Sequence, residues 1–199
     1  MEKNLLLIFV KNPQFGKVKH RIAKLIGPKR TLRVYKELLK HTYTITHQLK
    51  VDKAVYYSNF IDSSDLWQNK IYQKYLQEGN DFGEKLLNAF AMGFSKNYQN
   101  IVFINNDCFE LKTDTINEAY ELLKTHKIVV GPTKDGNLYL LGMNVFYQEL
   151  FMDKNWKSNT ILQDTLIDLS NINASFKLLE TLTDIDKPKD LIHSTDIKY

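Results

Sequence analysis

The sequence has little of what would mark a secreted, fibrous or membrane-spanning chain. Its single cysteine, Cys108, rules out an internal disulfide, and no Cys/His cluster offers a zinc site. Four prolines and eight glycines in 199 residues leave no Pro- or Gly-rich linker, repeat or low-complexity tract. The opening apolar run, Leu5 to Val10, is far shorter than the roughly 20 residues that cross a bilayer, and Lys11 follows it. It lacks the length and the small-residue cleavage site of a signal peptide, so no membrane span and a cytoplasmic location are expected.

What is present suits a soluble globular protein. Hydrophobic residues make up 43% and charged residues 25%. One domain over residues 1–199 is expected, and its core needs no staples. A net charge of +4 with mixed signs does not call for nucleic acid as a partner. The exception is local. From Lys11 to Arg33 the chain carries Lys and Arg but no Asp or Glu, which suits a phosphate or another polyanion.

Apolar runs of strand length alternate with stretches of helical period. Leu5 to Val10 reads as a strand buried on both faces. After Gly27-Pro28, the positions Leu32, Tyr35, Leu39, Thr42, Ile45 and Leu49 define a long amphipathic helix. Ala54 to Tyr57 and Asn100 to Ile104 read as strands, with a helix between them carrying Leu86, Phe90 and Phe94 on one face. Asp81 and Glu84 form a capping box at its start. A helix from about Thr115 to Leu123, a strand Ile128 to Val130, an apolar stretch Leu138 to Met143, a helix Thr160 to Leu169 and a strand Ser175 to Leu179 complete the order. This predicts an α/β chain with a mostly parallel sheet covered on both faces, a three-layer α/β/α arrangement.

In such sheets ligands bind beyond the carboxyl ends of the strands, which selects the loops after Val10, Ile104 and Val130. In the first loop, Gly16 lets the backbone approach a ligand, and Lys17, Lys19 and Arg21 could neutralise a diphosphate. A solvated basic loop is the alternative. It is neither a Walker A loop nor a G-x-G-x-x-G turn. In the second, Asn105-Asn106-Asp107-Cys108 follows the strongest internal strand. Asp107 fits a ligand for a hard divalent cation, and fits a turn or cap residue equally well. Cys108 reads as a buried small residue. In the third, Gly131 to Asn137 is turn-rich around Asp135-Gly136. Near the end, Asp184-Ile185-Asp186-Lys187-Pro188 reads as a cap or as a source of one more metal carboxylate. His41, His47 and His126 are expected on the surface or in packing, and Trp67, Tyr72, Tyr75 and Trp156 in the core or at its rim.

Together these segments resemble a bacterial family of nucleotide-diphospho-sugar transferase-like proteins with the GT-A, Rossmann-like fold, which includes glycosyltransferases assigned to arsenosugar biosynthesis. Phe9 to Ile22 follows the family pattern F-A-K-x-P-x-x-G-x-V-K-T-R-L closely. Gly79 to Lys85 resembles G-x-x-L-G-E-R, Asn106 to Leu111 resembles S-D-C-P-x-L, Gly131 to Gly142 resembles G-P-A-x-D-G-G-Y-Y-L-L-G, and Asp184 to Leu191 resembles D-I-D-T-P-E-D-L. The departures are His20, Asn106, Phe109 and Asn137, while the carboxylates remain.

The resemblance implies a transferase of the nucleotide-diphospho-sugar transferase fold. Lys11, Gly16, Lys17, Lys19, Arg21, Asp81, Gly83 and Asn106 would hold the nucleotide and its phosphates. Asp107 and Asp186 would hold Mg2+ or Mn2+, and Asp135 would act on an unknown small-molecule acceptor. The donor would be a nucleotide sugar. Nucleotidyl transfer from a nucleoside triphosphate, and a nucleotide-binding protein without turnover, stand as alternatives.

Overall fold

The computed structural model describes residues 2–193. Seven strands, β1 (Asn4–Val10), β2 (Asp52–Tyr57), β3 (Tyr72–Leu76), β4 (Asn100–Asn105), β5 (Ile128–Pro132), β6 (Leu138–Met143) and β7 (Phe176–Leu178), form one sheet in the order β3-β2-β1-β4-β6-β5-β7. Every pairing is parallel except those of β6, which runs against both β4 and β5. The reason lies in the link. Only residues 133–137 separate β5 from β6, a hairpin-length connection that forces antiparallel pairing, whereas parallel neighbours need a crossover.

The alternation of side chains along β1 sorts the molecule into two cores. Leu6, Ile8 and Val10 join Ile22, Val34, Leu38 and Ile116 on the face covered by α1 (His20–Ile26), α2 (Pro28–Thr46) and α4 (Thr113–Leu122). Leu5, Leu7 and Phe9 join Leu86, Phe90 and Leu169 on the face covered by α3 (Phe82–Ser95) and α5 (Ile161–Asn171). A strand whose residues belong to both cores has no polar face, which is why β1 reads as an unbroken apolar run.

One sequence reading shifts in detail, and strand β3 was not read from the sequence. The long helix stops at Thr46 rather than reaching Leu49. Leu49 turns back with its amide on Thr46 and stays buried, and the Lys53 ammonium takes up the carbonyls of Leu49 (2.6 Å) and Val51 (2.9 Å). Those carbonyls would otherwise be left short of donors at the helix end. Strand β3 gives no clear apolar signal, since only Tyr72 of its residues is buried, as suits an edge strand. Among the described residues no helix is long and apolar enough to cross a membrane.

Candidate active site

A cleft of about 580 Å³ opens at the carboxyl ends of β1 and β4, where the antiparallel β6 begins. Lys11, Lys19, Arg21, Asn106, Asp107, Asp135 and Asp186 of the residues picked from sequence all line it.

The first loop delivers its cations unequally. Lys19 adopts a left-handed backbone (φ 47°) just before α1, and this directs its side chain inward, where it is only 6% exposed. Its ammonium lies 2.6 Å from Asp107 Oδ2. Arg21 is exposed and pairs with Asp186 Oδ2 at 2.7 Å. Gly16 and Lys17 lie on the exposed turn closed by the Lys17 amide on the Gln14 carbonyl, and neither lines the cleft. Gly16 uses its freedom there, at φ 70°. The start of the loop is fixed by Tyr35, whose hydroxyl accepts from the Lys11 amide (2.8 Å) and donates to the Lys11 carbonyl (3.0 Å).

At the end of β4 the chain continues alongside residues 184–186. The Ile185 amide donates to the Asp107 carbonyl (2.8 Å), and Cys108 bridges Asp184 in antiparallel fashion. Asp184 and Asp186, two residues apart in an extended segment, therefore both face the cleft, the first at depth and the second at the mouth. Asn105 holds the inner one. Its Nδ2 donates to Asp184 Oδ2 (3.2 Å), and its Oδ1 accepts from the Asp107 amide (3.2 Å). Asp184 Oδ1 is sealed from solvent and has no hydrogen-bond partner among the described residues. Burial, followed by the negative charge of Asp107, pushes the Asp184 carboxyl up to about 8, with Lys19 acting in the opposite direction. Burial and Asp184 also push the Cys108 thiol well above its ordinary range, so it stays a protonated, buried group.

The hairpin between β5 and β6 presents Asp135. Its carboxylate accepts from the Thr133 hydroxyl (2.5 Å) and from Asn137 Nδ2 (3.1 Å), which fixes its direction. Asn137 stands where the family pattern has glycine, and its amide supplies the second of these bonds.

Asp81 and Gly83 serve α3. Asp81 accepts from the Glu84 amide (2.9 Å) as the helix cap, and Glu84 reaches back to the Asn80 amide (2.7 Å), so the capping box forms one residue wider than the usual pairing. Gly83 is buried, and a Cβ there would fall 2.2 Å from Trp156 Nε1, so its bareness admits the Trp156 ring. Neither residue lines the cleft.

Sequence reasoning gave no site role to Asn105, Tyr35, Gln77, Phe82 or Trp156, and it named Asp184 only together with Asp186 as a possible source of one more carboxylate. Both carboxylates of that pair line the cleft. The others lie on segments whose approach to the cleft depends on long-range packing.

The donor set suits a hard divalent cation: carboxylate oxygens on Asp107 and Asp184, one of them buried without a partner. Among the described residues no three His, Cys, Asp or Glu side chains converge as a self-sufficient cage. A hard divalent cation usually takes one or two carboxylates and completes its shell with phosphate and water.

The fold recurs in solved proteins. A protein from Desulfovibrio desulfuricans G20, provisionally assigned as a nucleotide-diphospho-sugar transferase, superposes with a TM-score of 0.88 at 24% identity, over 96% of this chain and 85% of that one. The 4-diphosphocytidyl-2C-methyl-D-erythritol synthase of Anaerococcus prevotii matches at a TM-score of 0.63 and 9% identity, over 98% and 95% of the two chains. A CMP:2-keto-3-deoxy-manno-octonic acid synthetase solved with CTP matches at 0.54 and 8% identity, over 97% of each. No curated protein matches the sequence. Residues 41–158 match the family described as "Uncharacterized protein conserved in bacteria (DUF2064)". That match spans more than half of the chain, and the protein therefore belongs to the DUF2064 family of bacterial proteins, built on the α/β fold shared by nucleotide-diphospho-sugar transferases and cytidylyltransferases.

Proposed function

We propose that the protein is a cytoplasmic transferase that moves a glycosyl group from a nucleotide sugar to a small-molecule acceptor, with Mg2+ or Mn2+ held at Asp107. The observation that carries this reading is the neighbouring pair Asp107 and Asp184, with a buried and partnerless carboxylate oxygen, set against the cations Lys19 and Arg21 at the carboxyl edge of the sheet. A buried carboxylate raised by a neighbouring negative charge, as Asp184 is beside Asp107, is relieved by a cation bound to it. Asp184 is a better second ligand than Asp186, because it keeps a buried oxygen without a partner and its segment is bonded alongside Asp107. A divalent ion bound there would supply charge neutralisation for a diphosphate.

The protein's own residues do the rest. Lys19 and Arg21 place positive potential where negative charge grows on the leaving diphosphate, and a preformed potential of this kind is the usual main source of rate. Tyr35 fixes the Lys11 backbone at the entrance. Asp135, pinned by Thr133 and Asn137, receives the acceptor's hydroxyl proton.

Nucleotidyl transfer from a nucleoside triphosphate is the second reading, favoured by the cytidylyltransferases among the proteins that share the fold. The first loop argues against it, since it lacks the Gly-Gly followed by Arg and a later Lys of many such enzymes. Product analysis separates the two. The proposed reading requires free nucleoside diphosphate from a nucleotide-sugar panel, and pyrophosphate from a triphosphate with a sugar phosphate would replace it with the second.

A further inference from the structure

The cations of the cleft are not engaged alike. On the side covered by α1 and α2, Lys19 is paired with Asp107 and Arg21 with Asp186. On the side covered by α3 and α5, Lys85 and Lys157 also line the cleft, yet among the described residues neither ammonium has a carboxylate partner or makes a hydrogen bond. The acidic residues at the start of α3 are turned elsewhere. Asp81 accepts from the Glu84 amide (2.9 Å), Glu84 accepts from the Asn80 amide (2.7 Å), and neither lines the cleft. The cleft's own aspartates are held by other groups: Asp107 by Lys19, Asp186 by Arg21, Asp184 by Asn105, and Asp135 by Thr133 and Asn137.

The two free ammoniums belong to one rim. Lys85 follows Phe82 by three residues in α3, so their side chains share a face of the helix. Lys157 follows Trp156, and the Phe82 and Trp156 rings meet edge-on at 5.6 Å. That ring contact therefore ties together the two segments that carry the cations. Gly83 keeps it close, since a Cβ there would fall 2.2 Å from Trp156 Nε1, and the indole N–H is fixed on the Phe151 carbonyl (3.1 Å). Asn159, whose side-chain amide makes no hydrogen bond, lines the same rim. Like charges gathered at a cleft without counter-charges give it a positive potential, which the low-dielectric walls focus.

We propose that this rim is an anion subsite for the second substrate, and that the acceptor is a hydroxyl-bearing molecule with a phosphate ester or similar anionic group held by Lys85 and Lys157. This rests on the transferase reading above and names its acceptor class. The position suits the chemistry. A Cβ at Gly136 would fall 2.1 Å from the Asn159 carbonyl oxygen, and the Leu162 amide donates to the Gly136 carbonyl (2.9 Å), so the hairpin carrying Asp135 packs on the segment carrying Lys157. An acceptor anchored at Lys157 needs only a short body to bring its hydroxyl to Asp135. The hydroxyl oxygen forms the new bond to the anomeric carbon of the nucleotide sugar, and the bond from that carbon to the diphosphate oxygen breaks with its electron pair. The hydroxyl proton passes to Asp135.

Calorimetric titration of the full chain with glycerol 3-phosphate and with glycerol isolates the anionic group. Each is titrated in chelator, and again with Mn2+ and a saturating nucleoside diphosphate, the base being the one that gives the largest thermal shift. Glycerol 3-phosphate should bind saturably in both conditions and more weakly as NaCl rises from about 0.05 to about 0.5 M, whereas glycerol should give no saturable heat. Lys85→Gln combined with Lys157→Gln, at half-buried and exposed positions, should weaken glycerol 3-phosphate by about tenfold or more. Lys85→Arg with Lys157→Arg keeps both charges and should retain binding. Lys11→Gln, at the end of β1, should leave it within about twofold. No saturable binding of glycerol 3-phosphate at millimolar concentration, equal binding of glycerol, displacement by the nucleotide, or undiminished binding to the double glutamine variant would each overturn the proposal. Binding that follows the two lysines, in a protein that takes no nucleotide in any thermal-shift panel, would uphold the anion subsite and remove the transferase reading alone.

Discussion

The two sides of the cleft solve opposite problems with the same sheet as floor. On the α1 and α2 side, charges are brought together at the cost of desolvation, and one carboxylate oxygen is left without a partner. On the α3 and α5 side, the Trp156 indole is satisfied locally and ring carbon is offered with Lys85 and Lys157 beside it. The charged side leaves a buried carboxylate oxygen without a partner, whereas the ring side packs its aromatic groups against one another. Perturbing the first should change binding and chemistry more than stability, and perturbing the ring packing of the second should do the reverse.

The largest departure is expected from Asp107→Ala. It removes the partner of Lys19 and the leading cation ligand, and should lower transfer by about a hundredfold or more in a product assay, the scale of losing one preorganised electrostatic group. Retained activity would end the distinction between the sides. Gly83→Ala comes next. A methyl 2.2 Å from Trp156 Nε1 must displace the ring, and overpacking of this kind costs about 1–3 kcal/mol, readable in urea unfolding together with a red-shifted Trp156 emission.

Asp184→Asn tests the cost carried by the charged side. The folded carboxyl is raised to about 8 from an ordinary 3.8, so between these values the folded chain holds a proton that the unfolded chain has released, and wild-type stability falls as pH rises through that window. In chelator, the melting temperature of Asp184→Asn relative to wild type should therefore rise from pH 5 to pH 8.5. Each kcal/mol of relief corresponds to about 2–4 °C for a chain of this size. A constant difference across pH would refute the raised carboxyl. The smallest effect belongs to Lys17→Ala, which alters the exposed turn and should leave nucleotide affinity within about twofold, the range of a single solvated charge.

Much of this was legible in the sequence, and the reasons differ by region. Strand β1 is readable because burial on both faces makes it continuously apolar, and the Asp81 cap because its geometry is local. Asp107 and Asp135 could be placed at strand ends by topology alone. Lys17 and Lys19 look alike in sequence. Only the left-handed backbone at Lys19 turns one inward and leaves the other in solvent. The resemblance assigned Gly83 to the nucleotide, but it is the seat of a tryptophan 73 residues away, a relation with no local trace. The aromatic side of the cleft was illegible for the same reason, since Phe9, Phe82, Phe103 and Trp156 come from β1, α3, β4 and the segment before α5.

The most direct test of the central claim is thermal unfolding of wild type and Asp107→Ala against a panel of nucleoside diphosphates, triphosphates and nucleotide sugars, with and without Mn2+ or Mg2+. At about a hundred times its dissociation constant a ligand stabilises by roughly 2.7 kcal/mol. The charged side as described predicts a metal-dependent rise in melting temperature with at least one nucleotide, lost in Asp107→Ala. No rise with any nucleotide, in a wild-type protein that unfolds cooperatively, would contradict it.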